Sequence, residues 1–159
     1  MTLPTTGANA RKIENLQIGG GYNEAADGGV DIDQTGHIAA NSDLTIDGSI
    51  TFNGFLNMGM EADLEIATGV ITVTQTRHTV DVEGGVDSSD DLDTINGGTD
   101  GDLVLLRAKN GGRTIIITEN GNIAVNGTTR TLDYRDDRIL LTYSSFALKW
   151  IEVAFANNS

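Results

Sequence analysis

From Ile38 to Ala67 the chain repeats every six residues, and few folds accept such a period. The hexads read Ile38-Ala39-Ala40-Asn41-Ser42-Asp43, Leu44-Thr45-Ile46-Asp47-Gly48-Ser49, Ile50-Thr51-Phe52-Asn53-Gly54-Phe55, Leu56-Asn57-Met58-Gly59-Met60-Glu61 and Ala62-Asp63-Leu64-Glu65-Ile66-Ala67. Their first and third positions are apolar throughout, with a small or polar residue between. Four of the five then place a turn former at position four: Asn41, Asp47, Asn53 or Gly59. Three alternating residues make a minimal strand with one buried face, and the other three make a corner. The pattern predicts a rod with corners.

The amount of repeat decides which rod. A single-chain β-helix needs about three hexads per coil, so five hexads give fewer than two coils, roughly 10 Å of axis at the ~4.8 Å strand spacing. Solenoids need about three or more repeats to bury a continuous interior. Three chains that each supply one side of a triangular shaft solve the problem, with Leu44, Ile46, Ile50, Phe52, Leu56, Met58 and Leu64 directed at the axis. The expected fold is therefore all-β: an intertwined, trimeric β-helix-like shaft followed by a small C-terminal β-sandwich or barrel head.

Composition fits an exposed, assembled β protein. Twenty glycines among 159 residues exceed the ~7% typical share, and a single proline leaves the turns to Gly, Asn and Asp. Aromatic residues are only 5%, which argues against a large compact core. With 23 Asp and Glu against 10 Lys and Arg, the formal charge is -13, and a trimer carries three times that. Such a surface repels phosphate backbones, so nucleic acid is not expected as a partner. No run approaches the ~20 apolar residues of a membrane span, and residues 1–10 lack a secretion signal, so synthesis in a cytoplasm with no membrane partner is expected. The absence of Cys excludes disulfides and thiolate metal sites.

Three regions follow. Residues 1–29, with the apolar set Ile13, Leu16, Ile18 and the run Gly19-Gly20-Gly21, read as an attachment segment that orders on another protein. Residues 30–68 form the shaft, entered through Val30 and Ile32. Residues 69–159 form a neck, over Gly69 to Val82, and the head. In the head, Leu103 to Leu106 is continuously apolar and is expected to be buried on both faces. Strands around Ile115, Ile123, Thr129, Ile139 and Leu148 follow at sandwich-like spacing, with Asn126-Gly127 as the strongest hairpin signal.

Several segments of this head, in order, resemble a C-terminal module of tailed-phage fibre proteins. They are Leu92-Asp93-Thr94-Ile95-Asn96-Gly97-Gly98, Gly101-Asp102-Leu103-Val104-Leu105, Arg113-Thr114-Ile115, Gly121-Asn122-Ile123, Leu140-Leu141-Thr142-Tyr143 and Lys149-Trp150-Ile151-Glu152-Val153. The resemblance covers about Asp90 to Ala154, and the hexads are similar to the trimeric stalks of the same fibres. It implies a virion protein that assembles as a homotrimer, anchors by its N-terminus and presents its C-terminal head outward. Between Tyr143 and Trp150, Ser144-Ser145-Phe146-Ala147-Leu148 replaces the Asp-Gly turn usual in such modules. The expected function is thus a non-enzymatic short fibre or decoration protein held to a capsid or tail protein through residues 1–20. A receptor-binding fibre that recognises a host surface glycan is the alternative, and a hexapeptide-repeat acyltransferase is a distant third.

Motifs for chemistry are sparse, and no catalytic residue, cofactor or metal site is expected. His37 and His78 lack the paired spacing of a zinc site. Ser144, Ser145 and His78 lack any marked nucleophile elbow, and no phosphate-binding motif follows a Gly run. Two acidic runs, Asp27 to Asp33 and Asp87 to Asp93, offer carboxylates suited to Ca²⁺ but complete no known loop, and solvated turns are the expectation. Asp136 and Asp137 are adjacent and would face opposite ways on a strand, unlike a glycosidase pair. Arg113, Arg130, Arg135 and Arg138 form either a patch for acidic glycans or cross-strand partners of Asp133, Asp136 and Asp137. Tyr134, Tyr143 and Trp150 serve either a sugar ring or the core.

Overall fold

Alternation of apolar and polar residues persists past the hexads to the end of the chain, and there it builds stacked coils. The computed structural model describes residues 16–19, 29–32, 38–40, 44 and 48–158. The chain divides into two units, Met1–Phe55 and Leu56–Ser159. In the first, β1 (Leu16–Gly19), β2 (Gly29–Ile32) and β3 (Ile38–Ala40) form an antiparallel sheet in that order, with Leu16 opposite Ile32 and Val30 opposite Ala40. Residues 48–61 carry no strand. The attachment segment expected over residues 1–29 lies outside the described residues except for β1 and the first residue of β2.

Apart from one short helical turn at Glu83–Gly85, the regular elements of the second unit are all strands, and they wind as a solenoid. Its strands are β4 (Ala62–Glu65), β5 (Val70–Thr72), β6 (Arg77–Asp81), β7 (Ser89–Leu92), β8 (Thr94–Asn96), β9 (Leu103–Ala108), β10 (Thr114–Thr118), β11 (Ile123–Ala124), β12 (Thr129–Leu132), β13 (Arg138–Ser144) and β14 (Lys149–Ala156). β4, β6 and β9 stack in parallel, with Ala62 beside His78 and Arg77 beside Leu105. On the other faces β5 stacks in parallel on β8 and β7 on β10. Parallel neighbours require the chain to make a full circuit before it returns, which is what a coil does. The remaining strands close one end: β12 runs antiparallel to β10, and β13 to β9 and β14. Covering the last coil in this way removes exposed ladder edges that would otherwise recruit other chains.

The expected sandwich or barrel is replaced by these coils. Its strand positions are largely right, but their partners are earlier coils rather than sequence neighbours. β11, which the Asn126-Gly127 signal placed in a hairpin, pairs in parallel with β14. Leu103 to Leu106 is not buried on both faces either. Val104 and Leu106 point inward at 0% exposure, whereas Leu103 is 46% exposed.

One face of every coil strand supplies the core: Val80, Val104, Leu106, Ile115, Ile117, Ile139 and Leu141 are all buried. Two corners show why glycine is needed. At the β4–β5 corner Ala67 and Val70 exchange both backbone hydrogen bonds (3.0 and 3.1 Å) around Thr68 (φ 54°) and Gly69 (φ 76°), the conformation of a tight I′ turn. Gly97 (φ 97°) approaches the Val73 carbonyl so closely that a Cβ would lie 2.3 Å from its oxygen. Asn122 completes the β8 edge with a side chain. Its Oδ1 accepts from the Ile95 N–H (2.7 Å), its Nδ2 donates to the Ile95 carbonyl (3.3 Å), and its own carbonyl accepts from the Trp150 N–H (2.8 Å).

Candidate functional site

The residues assigned to a shaft core split in two. Leu44, Ile50, Phe52, Leu56 and Met58 are 40 to 61% exposed in the single chain, and the neighbouring Phe55 is fully exposed. Leu64, aligned with them by the hexad period, sits on β4 and packs against the core of the second unit. Its hexad forms a strand because β6 lies alongside to pair with it, as the first hexad does where β3 lies beside β2. Ile46 lies outside the described residues, as do His37 and Asp27.

The four arginines proposed as a patch are likewise separated. Arg113 donates from Nη1 to both Asp81 oxygens (2.7 and 2.8 Å). Arg130 binds Glu152 through Nε and Nη2 (2.9 and 3.0 Å), with its guanidinium 5.0 Å from the Phe155 ring centroid. Their partners are therefore Asp81 and Glu152, not the Asp133, Asp136 and Asp137 set. Arg135 and Arg138 instead join Arg77 and Arg107, together with Glu61 and Asp136, around a cleft of about 470 Å³.

This cleft is built on the outer face of the six-stranded sheet β11-β14-β13-β9-β6-β4. Alternation makes Val104, Leu106 and Ala108 face inward, so Arg107 faces out. The parallel register sets Thr79 beside Arg107 and Arg77 beside Leu105, placing Arg77 diagonally next to Arg107. Glu61, just before β4, ties them together. Its Oε2 accepts from Arg107 Nη2 (2.6 Å) and Nε (2.8 Å), and its Oε1 from Arg77 Nη2 (3.2 Å). The Arg107 hydrogen bonds hold the Glu61 carboxyl below its ordinary range against partial burial, with Arg77 adding to the effect. Remaining donors go to backbone: Arg77 Nη1 to the Gly59 carbonyl (2.6 Å) and Arg107 Nη1 to that of Ala108 (3.0 Å). Arg138 Nη1 is pinned by the carbonyls of Arg135 (2.5 Å) and Asp137 (2.9 Å). A second hollow of about 520 Å³ shares Glu61, Arg77 and Arg107 and extends toward Asn57 and Asp63.

Sequence reasoning found Arg135 and Arg138 but missed Arg77, Arg107 and Glu61. The available signal was that each arginine alternates with buried residues, though only the parallel register shows that the two strands are neighbours.

The other candidates are occupied structurally. His78 is fully buried, with Nδ1 3.2 Å from the Ala62 carbonyl and Nε2 accepting the N–H groups of Thr74 (3.2 Å) and Gln75 (3.3 Å). Asp90 accepts the N–H groups of Glu83 (2.8 Å) and Asp91 (2.9 Å), as a turn residue does. Among the described residues no three His, Asp or Glu side chains converge to hold a metal ion, and no helix is long and apolar enough to cross a membrane. Asp136 and Asp137 diverge: Asp136 lines the cleft, while Asp137 is buried and accepts the N–H groups of Asp133 (3.1 Å), Tyr134 (3.0 Å) and Asn158 (2.7 Å). Tyr143 and Trp150 meet edge to face at 5.4 Å, and Trp150 Nε1 donates to the Ile95 carbonyl (3.0 Å), so both serve packing; Tyr134 is half exposed. No protein-family model matches the chain, and no curated protein is significantly similar to it.

Proposed function

We propose that this chain is a non-enzymatic structural protein of a phage virion, a short homotrimeric fibre or decoration protein attached through residues 1–20. The observation that carries the reading is the uncovered hexad stripe. Leu44, Ile50, Phe52, Leu56 and Met58 repeat at a strand-and-corner period yet leave 40% or more of their surface in solvent. Burying one such side chain is worth roughly 1.5–3 kcal/mol, and only further chains can supply the missing sides of the shaft. Three identical chains do so with the closed symmetry that homo-oligomers favour. The antiparallel strands β12, β13 and β14, which cover the last coil, suit the outward end of such a fibre.

Sedimentation equilibrium of the purified full chain tests the reading. The expected species is a trimer at micromolar concentration, and a folded monomer counts against it. Deleting residues 1–20 is expected to leave that trimer intact while abolishing its attachment to particles, and electron microscopy of decorated particles reads the second part directly.

A further inference from the structure

The cleft on the outer face of the six-stranded sheet gathers six charges, of which three are tied to one another and three have no charged partner among the described residues. All six of its lining residues are charged, four positive and two negative, on a chain whose formal charge is -13. Arg77 and Arg107 are consumed by Glu61, and this triad forms a rigid floor. Arg138 is fixed by two backbone carbonyls and makes no ion pair among the described residues. Arg135 and Asp136 are exposed, and neither side chain has a charged partner within the described residues. A guanidinium held in place with unspent donors is the group best suited to grip an oxyanion in two-point fashion.

From this arrangement we propose that the cleft binds a small polyhydroxylated oxyanion of the sugar-acid class. Arg135 and Arg138 take the carboxylate. The carboxylates of Glu61 and Asp136 accept hydrogen bonds from ring hydroxyls, a role that anions play and guanidinium groups cannot. A volume of about 470 Å³ falls within the range of small-molecule sites, ~300–1,000 Å³, and exceeds what a bare inorganic anion needs. The absence of any apolar lining residue disfavours hydrophobic ligands. A sugar acid meets both the charge and the hydroxyl requirement. All lining residues belong to the second unit, so this binding and the assembly of the shaft stand or fall separately.

Titration calorimetry of the full chain tests the proposal with four probes: glucuronate, glucose, inorganic sulfate and a short oligogalacturonide. Glucuronate is expected to bind with a Kd on the order of 1 mM or tighter, about the strength of one charge-assisted fork with a few hydroxyl contacts. Glucose is expected to give no heat. Arg135→Ala, at an exposed position whose loss leaves the fold intact, should weaken glucuronate at least tenfold, roughly the value of one charged hydrogen bond. Arg138→Lys, which keeps the charge and removes the fork, should weaken it as well, and Lys109→Ala outside the cleft should not. Tighter binding of the oligogalacturonide identifies an acid borne on a glycan chain, and equal binding a free sugar acid; both support the site. Glucose binding as well as glucuronate, sulfate binding without glucuronate, or glucuronate affinity unchanged in both arginine variants would each overturn it.

Discussion

The hexad stretch and the coils use the same alternation of apolar and polar residues and reach opposite outcomes. Phe52 and Leu56 are more than half exposed, whereas Leu106, Ile115 and Ile139 are at 0%. The difference lies in how often the chain returns. In the second unit it comes back to the same face from β4 to β6 to β9, so each apolar row finds a row above it and another across the interior. Residues 48–61 carry no strand, and their apolar side chains find no such rows. A strand pattern states which face wishes to be buried, but the number of circuits decides whether one chain can bury it.

The comparison breaks most visibly if the hexads are not an interface. In the proposed trimer, Phe52→Asp or Ile46→Asp would bring three like charges to one axis, at a desolvation cost of several kcal/mol per ion, in addition to the lost apolar burial. Sedimentation should show the trimer gone, while circular dichroism retains the strand signal of the coils. Variants that remain trimeric with unchanged melting would place these side chains in solvent.

Within the coils, truncation should act on a single chain instead. Trp150 is 1% exposed, packs edge to face on Tyr143 and donates to Ile95 from an adjacent coil. Trp150→Ala opens a large cavity and leaves the Ile95 carbonyl without that donor, for an expected loss of about 3–5 kcal/mol. Denaturant unfolding should register the loss independently of protein concentration, unlike the hexad variants. A cost near zero would mean that the C-terminal strands do not close the last coil.

Strand positions and facing were legible in the sequence because alternation is local. A strand was expected around Ile115, and β10 lies there with Ile115 and Ile117 turned inward. Partners were not legible, because a parallel pair such as Ser89 and Thr114 leaves no turn signature between its strands. Asn126-Gly127 carried a strong hairpin signal, yet β11 and β12 join different sheets, so pairing outweighed turn chemistry. The same gap hid the cleft. Arg77 and Arg107 become neighbours only once the register of β6 on β9 is known, and Glu61 looked like the end of a hexad rather than the tie between them. The pairing of Arg130 with Glu152 was missed for the same reason.

The smallest expected effect concerns Asp137, which secures the strands that close the solenoid. Burial opposes its ionisation, and the N–H groups of Asn158, Tyr134 and Asp133 outweigh that penalty, so its pKa lies below the ordinary carboxylate value. A folded pKa below the unfolded one, which is ~3.9 for Asp, means that the stabilisation is fully present above that value. It is lost as pH falls through the folded pKa. Asp137→Asn keeps the shape but removes the charge and turns one of the two accepting oxygens into an NH2 that faces an N–H, for an expected loss of about 1–3 kcal/mol at neutral pH. Thermal melting from pH 7 downward should show the two proteins well separated at neutral pH and converging below about pH 4. Asp81, depressed by Arg113 against its own burial, is intact in both proteins and should leave each with residual acid sensitivity. Parallel curves across the whole range would show that Asp137 titrates alike in the folded and unfolded chain, and the N–H cradle would then not be what holds the closing strands.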